Sequence, residues 1–311
     1  MQKLIIVGAA GNQGFEYYNL LNDKLNIVAL VDNNISHIND LYKNVHINKY
    51  KYVEDVNIDF DIAIVCVPHS EHFKITKFLL EKGKTVIKEK PFAISLQEAN
   101  MYENDISLFT IVQRQFNPMF TVGKEKLKEL GHIYSYNYTY NLPLSEITKG
   151  WRADFSVCYG GVLLDMGYHV LDILLSYFGK PLKVESFQSY CYKEMEKQNL
   201  EDSISLMMLH GNGIQGTVTI NRHSTHKKEK FEILGTNGCM IIEPKQLTMY
   251  DRKGNLLYSD DLNSSVNPKL EMFLEYIKNI GNKDYLKNHI SHHKDMVDII
   301  NKIYYKARKT A

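Results

Sequence analysis

Short, unbroken apolar runs alternate with amphipathic stretches in the first third of this 311-residue chain, and no other feature limits its fold as much. Residues 62–67 (IAIVCV) are apolar at every position. Strands that crossover helices bury on both faces have this composition, whereas half-exposed strands alternate polar and apolar residues. The sequence therefore predicts an α/β fold with a doubly wound parallel sheet. The predicted strands are residues 3–7, 27–32, 60–67, 85–88 and 108–112, and the predicted helices are 15–21 and 72–80.

The pattern changes after Gly131, where longer runs with a period of two residues follow. Gly211-Asn212-Gly213 and Thr236-Asn237-Gly238 separate consecutive runs, and these residues adopt the positive φ angles of hairpin turns. This half is predicted to be an α+β domain with an open-faced, mostly antiparallel sheet and one central helix at residues 162–177. Because the chain is about twice the usual domain size, we expect two domains that meet near Pro118. Their predicted bounds are residues 1–118 and 119–311.

Charge and cysteine usage narrow the partners of the chain. The 37 Lys and Arg residues nearly balance the 36 Asp and Glu residues, so we expect a small molecule and neither nucleic acid nor a membrane. The four cysteines lie far apart without metal-ligand spacing, which predicts reduced thiols and no metal site. No run approaches the roughly 18 apolar residues of a membrane span, and residues 4–10 are too few for a signal-peptide core. We therefore expect a cytoplasmic protein.

A glycine-rich turn follows the first predicted strand. Its glycines stand where a strand must turn sharply into a helix, and such a turn lets a pyrophosphate approach backbone N–H groups. A GxGxxG frame that starts at Gly8 would have glycine where Ala10 and Gln13 stand, so the pattern is GxxGxxG. The residues predicted to contact the pyrophosphate in this Rossmann domain are Gly8, Ala10, Gly11, Asn12, Gln13 and Gly14.

Asp32 ends the second predicted strand, 21 residues after Gly11. At this spacing a carboxylate accepts hydrogen bonds from the ribose hydroxyls of adenosine and repels a 2′-phosphate. Asn33 and Asn34 follow, with no arginine to bind such a phosphate. The sequence therefore favours NAD over NADP, with Asp32 and Asn33 beside the adenosine ribose. For the glycine turn alone, the alternative is a tight loop without a ligand.

The motif Glu89-Lys90-Pro91 follows the predicted strand at residues 85–88. In a parallel sheet, ligands bind at the carboxyl ends of the strands. An ammonium group at that edge can donate hydrogen bonds to a substrate oxygen and stabilise negative charge that develops there. This position predicts a substrate-binding role for Lys90, and the alternative is a solvated loop lysine.

A polar face is predicted on the central helix of the second half. Asp165, His169 and Asp172 fall at positions i, i+4 and i+7 and therefore share one face of a regular α-helix. An imidazole that titrates near neutrality, with a carboxylate to orient it, suits the movement of a hydroxyl proton. Gly160 and Gly161 would let a ligand come close to the backbone at the helix start. The alternatives are a zinc site, which lacks a third ligand at a motif spacing, and a plain polar face.

Together these motifs resemble those of the Gfo/Idh/MocA family, which is named for glucose-fructose oxidoreductase, inositol dehydrogenase and a rhizopine-catabolism protein. The resemblance covers nearly the whole chain. It rests on the glycine turn, Val67-Pro68 followed by His72, Glu89-Lys90-Pro91, Gln113-Arg114-Gln115-Phe116-Asn117-Pro118, Trp151-Arg152, the Gly-Gly-x-x-x-Asp-x-Gly-x-His-x-x-Asp stretch from Gly160 to Asp172, and Leu234-Gly235-Thr236-Asn237-Gly238.

The resemblance implies roles for individual residues. His169 corresponds to a general acid or base, Lys90 to a group that polarises the reacting oxygen, and Asp165 to an orienting group or proton relay. Trp151 and Arg152 look like the pair that packs near the nicotinamide ribose. The second domain resembles one that builds homodimers or homotetramers through its sheet. Further cofactor contacts implied by the family motifs are Val67, Pro68, His72, Glu89, Lys90 and Pro91.

The resulting hypothesis is an NAD(H)-dependent oxidoreductase that transfers a hydride between nicotinamide and a secondary alcohol or ketone of a sugar, cyclitol or nucleotide sugar. One alternative is a regulatory protein that senses NAD(H) without turnover and has no need of the three catalytic candidates. Another is a hydrolase that uses tightly held NAD for transient oxidation during glycosidic cleavage. Candidate contacts to substrate hydroxyls or a phosphate are Tyr138, Tyr140, Arg222, His223 and His226.

Overall fold

The computed structural model describes residues 2–105, 107–144, 148–261 and 266–310. The chain forms two compact units, which we call unit 1 and unit 2. Unit 1 comprises Met1–Ile111 and Met272–Lys294, and unit 2 comprises Val112–Glu271 and Asp295–Ala311. The division expected from the sequence differs, because it places the junction near Pro118 and assigns everything after it to the second domain.

Unit 1 contains the predicted parallel sheet, which has six strands rather than the five expected. The strands are β1 (Lys3–Val7), β2 (Asn26–Val31), β3 (Asn48–Tyr50), β4 (Ile62–Val65), β5 (Thr85–Glu89) and β6 (Leu108–Ile111). Their order is β3-β2-β1-β4-β5-β6, and all neighbours are parallel. This is the Rossmann order, which reverses between β1 and β4. The helices near these strands in sequence are α1 (Asn12–Leu21), α2 (Ile35–Leu41), α3 (His69–Glu81) and α4 (Leu96–Met101).

The C-terminal part of unit 1 completes an edge of this sheet. β6 is an edge strand that pairs only with β5 in the sheet. On its other side, the backbone N–H of Thr110 donates to Nε2 of His289 at 2.9 Å, and the Tyr276 hydroxyl donates to the Thr110 carbonyl oxygen at 2.8 Å. Unpaired backbone groups on a strand edge otherwise attract other strands. Residues 272–294 therefore belong to unit 1 because they satisfy the edge that the N-terminal segment leaves open.

Unit 2 contains the predicted, mostly antiparallel sheet. Its eight strands are β7 (Ile133–Pro143), β8 (Lys183–Ser189), β9 (Ser203–Leu209), β10 (Gln215–Asn221), β11 (His223–Gly235), β12 (Gly238–Glu243), β13 (Gln246–Asp251) and β14 (Leu256–Asp260). They lie in the order β14-β13-β12-β11-β7-β10-β9-β8. The β9–β10 and β11–β12 pairs are antiparallel, as the two turn motifs predict, whereas β7 and β10 are parallel. The remaining helices are α5 (Pro118–Lys126), α6 (Phe155–Cys158), α7 (Tyr168–Phe178), α8 (Lys193–Lys197), α9 (Pro268–Lys278) and α10 (Lys283–Thr310).

The two faces of this second sheet differ in burial. Alternate residues of β9 and β10 are buried, so one face lines the interior of unit 2. On the other face, Phe187 is 76% exposed and Met207 is 62% exposed. Their strands, β8 and β9, are antiparallel neighbours, in which Phe187 pairs with Ser205 and Met207 with Glu185. Unit 2 thus presents large apolar side chains on its outer sheet face.

The central helix of unit 2 departs from the regular α-helix predicted at residues 162–177. Its first turn, Leu163–Gly167, is π-helical, and α7 continues from it. The space beside the two preceding glycines is occupied by the protein itself, so the prediction that a ligand approaches there was wrong. A Cβ on Gly160 would lie 2.6 Å from the Tyr304 hydroxyl, and a Cβ on Gly161 would lie 2.3 Å from the carbonyl oxygen of Glu201.

This helical region is also long and largely apolar. By length and composition alone, the stretch Phe155–Phe178 is long and apolar enough to cross a membrane. In its most apolar stretch of 18 residues, 78% is buried inside the protein. A largely buried, mostly apolar helix of this kind forms the core of a folded domain.

Glu201 anchors the start of this helix. Its carboxylate accepts hydrogen bonds from the backbone N–H of Gly161 at 3.2 Å and of Leu163 at 2.9 Å, and from the Tyr304 hydroxyl at 2.9 Å. Glu201 is fully buried, and burial raises the pKa of its carboxyl group. Backbone N–H groups in the first turn of a helix lack partners within the helix. This buried side chain therefore supplies the acceptors that fix the helix in place.

We expect Glu201→Ala to lower the free energy of unfolding by about 3 kcal/mol, because it leaves buried N–H and O–H donors unpaired. Glu201→Gln retains one acceptor oxygen and should lose less. The matched control is Glu196→Ala, which removes an exposed carboxylate from α8 and should change stability by no more than about 0.5 kcal/mol. Urea unfolding of the three variants measures these values, and equal losses for Glu201→Ala and Glu196→Ala would contradict the anchoring role.

Candidate active site

The glycine-rich turn joins β1 directly to α1. Gly8 has a φ of +83°, and a Cβ there would lie 2.4 Å from the carbonyl oxygen of Cys66. A Cβ on Gly14 would lie 2.2 Å from the carbonyl oxygen of Gly8, so the helix packs against the end of the strand without space for a side chain. Gly11 is the N-cap of α1, and no side chain caps the helix. The first N–H groups of α1 are therefore suited to binding an anionic group.

Asp32 holds this turn through its carboxylate. Oδ2 accepts from the backbone N–H of Ala10 at 2.9 Å, and Oδ1 accepts from the backbone N–H of Asn34 at 3.0 Å. Ala10, which stands where the GxGxxG frame has glycine, thus binds the acid with its amide. Each carboxylate oxygen has further lone pairs that can accept hydrogen bonds from ribose hydroxyls. Asn33, the next residue, is exposed. The turn and its acid fit the diphosphate and adenosine ribose of NAD.

The Glu89-Lys90-Pro91 motif begins at the carboxyl end of β5. Tyr17 of α1 donates a hydrogen bond from its hydroxyl to Oε1 of Glu89, and the Lys90 backbone N–H donates to Oε2 at 3.2 Å. Burial, followed by the charge of Glu89, raises the pKa of Tyr17 well above its ordinary value. The Lys90-Pro91 peptide bond is cis, and Lys90 is half-buried. Glu89 therefore binds the start of the turn that carries Lys90.

The segment after β4 contains three further predicted cofactor contacts. Val67 is half-buried, and Pro68 is exposed at the N-cap of α3. His72 is only 2% exposed, and its Nε2 lies 2.8 Å from the Val67 carbonyl oxygen. Burial and the positive charge of Lys88 hold the pKa of His72 well below its ordinary value. The His72 side chain thus binds the segment from inside unit 1.

In unit 2, the polar residues of the central helix have separate partners. Arg152 Nε donates to Oδ2 of Asp165 at 3.0 Å, and the Arg152 guanidinium lies 4.3 Å from the centroid of the Trp151 ring. His169 is half-buried at the start of α7. Asp172 is 1% exposed, and its Oδ1 accepts from Nε2 of Gln115 at 2.6 Å. Asp165 thus lies in a π-helical turn rather than on the regular α-helix that was expected, and Asp172 is bound in the interior.

A buried polar network that was not predicted from the sequence lies on the inner face of the sheet of unit 2. Arg114 donates to the Tyr138 hydroxyl at 3.1 Å and forms an ion pair with Glu229. The Tyr138 hydroxyl donates to Oε1 of Glu229 at 2.7 Å, and the Arg114 guanidinium lies 4.1 Å from the centroid of the Tyr140 ring. Burial raises the pKa of Tyr140, and the charges of Glu229 and Asp165 also act on it. The network thus extends electrostatically to the surroundings of Asp165.

Several residues named as candidate substrate contacts are interior residues. Arg222 is 1% exposed, and its Nε donates to Oδ1 of Asp202 at 3.0 Å. Tyr138, which belongs to the network with Arg114 and Glu229, is fully buried, and Tyr140 is 7% exposed. His223 packs edge-on against Tyr192, with ring centroids 4.8 Å apart, whereas His226 is exposed. The expected substrate contacts of Arg222 and Tyr138 are not supported, because both side chains are buried and hydrogen-bonded to partners inside unit 2.

We expect Gly14→Ala to lower the free energy of unfolding by about 3 kcal/mol, because the new Cβ cannot fit against the Gly8 carbonyl oxygen. Gly11→Ala is the matched control in the same turn. Its Cβ would lie 3.4 Å from that oxygen, in ordinary contact, and should cost less than about 1 kcal/mol. Urea unfolding of both variants tests the difference, and similar losses would contradict the close approach of α1 to β1.

Two family models match the chain. Residues 3–103 match the model described as "Oxidoreductase family, NAD-binding Rossmann fold", and residues 126–241 match the GFO/IDH/MocA C-terminal domain. Among curated proteins, levoglucosan dehydrogenase of Pseudarthrobacter phenanthrenivorans is 26% identical over 235 residues, which cover 64% of this chain and 57% of that protein. The uncharacterized oxidoreductase YhhX of Escherichia coli is 26% identical over 194 residues, which cover 59% and 53%. The chain therefore spans about half the length of the curated relatives it matches.

Solved structures have the same fold over nearly the full length of the chain. Levoglucosan dehydrogenase in complex with NADH has a TM-score of 0.81 at 17% identity and covers 99% of this chain and 97% of its own. GenD2 from gentamicin A biosynthesis, in complex with NAD, has a TM-score of 0.84 at 15% identity and covers 100% and 95%. At these identities the likeness establishes the fold. With both family models matched in order along the chain, this protein belongs to the GFO/IDH/MocA family of oxidoreductases with an NAD-binding Rossmann fold.

Proposed function

We propose that this chain is an NAD(H)-dependent oxidoreductase that transfers a hydride between nicotinamide and a secondary alcohol or ketone of a sugar, cyclitol or nucleotide sugar. The observation that carries the proposal is the anchored helix of unit 2. Its start presents Asp165, which Arg152 engages, and the half-buried imidazole of His169 four residues further on. An imidazole that titrates near neutrality, close in sequence to a carboxylate held by an arginine, can accept and return a hydroxyl proton.

The names of the relatives support this substrate class. Levoglucosan dehydrogenase, scyllo-inositol 2-dehydrogenase of Bacillus subtilis and D-glucoside 3-dehydrogenase of Escherichia coli are all named for hydroxylated rings. A solved relative of the same fold is a UDP-N-acetylglucosamine 3-dehydrogenase. We infer from these names that the substrate of this chain is also a ring with several hydroxyl groups.

Unit 1 would hold the cofactor. The turn from Gly8 to Gly14, with the first amides of α1, is proposed to bind the diphosphate, and Asp32 with Asn33 the adenosine ribose. A carboxylate at the ribose repels a 2′-phosphate, which supports NAD over NADP. When bound, NAD⁺ supplies the acceptor for the hydride that leaves the substrate carbon. The residues Val67, Pro68, Glu89 and Pro91 are proposed to frame the same site.

The catalytic residues would be Lys90, Asp165 and His169. His169 takes the proton from the substrate hydroxyl as the alcohol is oxidised and returns it in the reverse direction. Asp165 orients the imidazole, and the hydrogen bond from Arg152 fixes the carboxylate. The Lys90 ammonium group donates to the reacting oxygen and stabilises the negative charge that develops on it. Trp151 supports Arg152 through the contact of its ring with the guanidinium.

We expect Lys90→Met to reduce turnover at least about a hundredfold, because it removes the donor to the reacting oxygen. The assay mixes protein with NAD⁺ or NADH and a panel of sugars, inositols and nucleotide sugars or their keto forms, and follows the absorbance of reduced nicotinamide. NADH affinity, measured by fluorescence, separates the loss of a cofactor contact by Lys90 from a loss in the chemical step. Lys82→Met removes an exposed lysine and is the matched control.

Two results would contradict the proposed function. Binding of NADH without turnover of any compound in the panel would favour the regulatory protein that senses NAD(H). Release of a sugar from glycosides without net formation of NADH would favour the hydrolase that oxidises its substrate transiently. Equal turnover by Lys90→Met and wild type would remove Lys90 from the catalytic residues.

We also propose that the protein is a cytoplasmic homodimer or homotetramer that associates through the outer face of its second sheet. Phe187 and Met207, exposed on neighbouring strands, support this assembly because large apolar side chains on one face favour burial in an interface. The carbohydrate-like substrate remains the small-molecule partner.

We expect Phe187→Asp with Met207→Lys to shift the protein from an oligomer to a monomer, because charges replace the apolar contact. Light scattering after gel filtration measures the molar mass. Met101→Lys, at a residue 55% exposed in α4, is the control and should leave the assembly unchanged. A wild-type protein that is monomeric at all concentrations would contradict the proposed assembly.

A further inference from the structure

Two buried apolar residues stand in an exposed stretch of unit 2. Among residues 191–199 only Met195, on α8, is buried, and Leu200 follows as a fully buried residue. Together with Cys158 these two side chains form a small apolar cluster, which we call the Met195 cluster. Burial of two apolar side chains beside nine-tenths polar surroundings is not needed for solubility, so we looked for what covers them.

The end of α8 brings Met195 and Leu200 together. The backbone N–H of Leu200 donates to the Met195 carbonyl oxygen at 3.0 Å, and the N–H of Asn199 donates to the Glu196 carbonyl oxygen at 2.9 Å. Asn199 has a φ of +53°, in the left-handed region. These features define a Schellman motif, in which the residue after the left-handed one commonly contacts the last helical turn. The two apolar side chains are therefore held together by backbone hydrogen bonds.

Trp151 packs against the Met195 cluster. The ring is half-buried and belongs to a single 3₁₀ turn, Trp151–Ala153. The cluster also contacts the backbone of this turn, because the Cys158 thiol donates to the Arg152 carbonyl oxygen at 3.6 Å. The Arg152 guanidinium lies 4.3 Å from the centroid of the Trp151 ring, and its Nε donates to Oδ2 of Asp165 at 3.0 Å. A continuous series of contacts thus leads from the cluster to Asp165.

The next residue of the same segment fixes the other partner of this ion pair. Glu201 directly follows Leu200, and its carboxylate accepts from backbone N–H groups at the start of the central helix. Asp165 lies in the π-helical turn of that helix, and its backbone N–H donates to the Gly161 carbonyl oxygen at 3.1 Å. Two adjacent residues, Leu200 and Glu201, therefore support the two sides of the pair of Arg152 with Asp165.

We propose that Met195 and Leu200 are positioning residues of the active site: they support the Trp151 ring and thereby hold the Arg152 guanidinium on the carboxylate of Asp165. The Arg152 side chain is 44% exposed, and an ion pair open to water holds its geometry only weakly. The packed ring limits the movement of the guanidinium. The inference rests on the proposed function for the catalytic use of Asp165, but the placement of Trp151 can be measured without substrate.

The test uses the whole protein and the fluorescence of Trp151, which is the single tryptophan of the chain. We expect Met195→Ala, below its urea transition, to shift the emission to longer wavelength and to increase quenching by acrylamide, because the ring loses its apolar support. Met195→Leu conserves the volume and should restore the wild-type spectrum. The matched control is Met249→Ala, at a residue 2% exposed on β13, which should lower stability and leave the emission unchanged.

A second pair of variants keeps both apolar side chains and alters only the turn, in case Met195→Ala does not fold. Asn199→Val places a β-branched residue in the left-handed region and should shift the Trp151 emission in the same direction, whereas Asn199→Gly fits that region and should not.

A double-mutant cycle tests the step from Trp151 to Asp165. Asp165→Asn removes the charge that holds Arg152, so it should change the Trp151 emission in wild type and add no further change in Met195→Ala. With any compound that the wild type turns over, Met195→Ala should lower kcat at least about tenfold and KM less, because the acid–base geometry is loosened. Met195→Leu and Met249→Ala should retain kcat.

A wild-type spectrum in Met195→Ala and Asn199→Val would overturn the inference. So would additive changes in the cycle with Asp165→Asn, or an unchanged kcat in a variant whose Trp151 emission has shifted. The fluorescence measurements need no substrate. An absence of turnover in wild type would therefore count against the proposed function, and the cycle would still decide whether the Met195 cluster holds Arg152 on Asp165.

Discussion

In a parallel sheet, every strand must be reached by a crossover, so the carboxyl ends of all strands meet at one edge. This constraint organises unit 1, where all six strands are parallel. The glycine turn, Asp32, the Val67-Pro68 segment and the Glu89-Lys90-Pro91 turn follow β1, β2, β4 and β5 in turn. Residues scattered over the first third of the sequence are thereby brought to one edge. Side chains inside the unit, such as those of Tyr17 and His72, then bind these segments individually.

The parts of the fold that follow from local pattern could be predicted from the sequence. Unbroken apolar runs identified five strands of the first sheet, and the two turn motifs identified hairpins of the second, because burial on both faces and positive φ leave direct compositional marks. β3 was missed since Asn48–Tyr50 is short and polar. The glycine turn and Asp32 were predicted together, and their hydrogen bond through Ala10 joins them in the structure. NAD binding followed from the same local signals, and the family match supports it.

Contacts between residues distant in sequence could not be predicted. Glu201 and Tyr304 fill the space beside Gly160 and Gly161, and the turn that follows, which contains Asp165, is π-helical. The network of Arg114 with Tyr138 and Glu229, and the pair of Arg222 with Asp202, are likewise long-range. Charged residues are usually exposed, so a sequence favours a surface role for them until a buried partner is identified.

Unit 1 is built from two separate stretches of chain, and this has a consequence for its formation during translation. β6 leaves the ribosome long before residues 272–294, whose Tyr276 and His289 satisfy the Thr110 backbone on the outer side of that strand. Nascent domains generally fold as units from the N-terminus onward. Here the N-terminal segment alone would carry an open strand edge while residues 112–271 of unit 2 are made. The first unit to be started is therefore completed only when almost the entire polypeptide has been made.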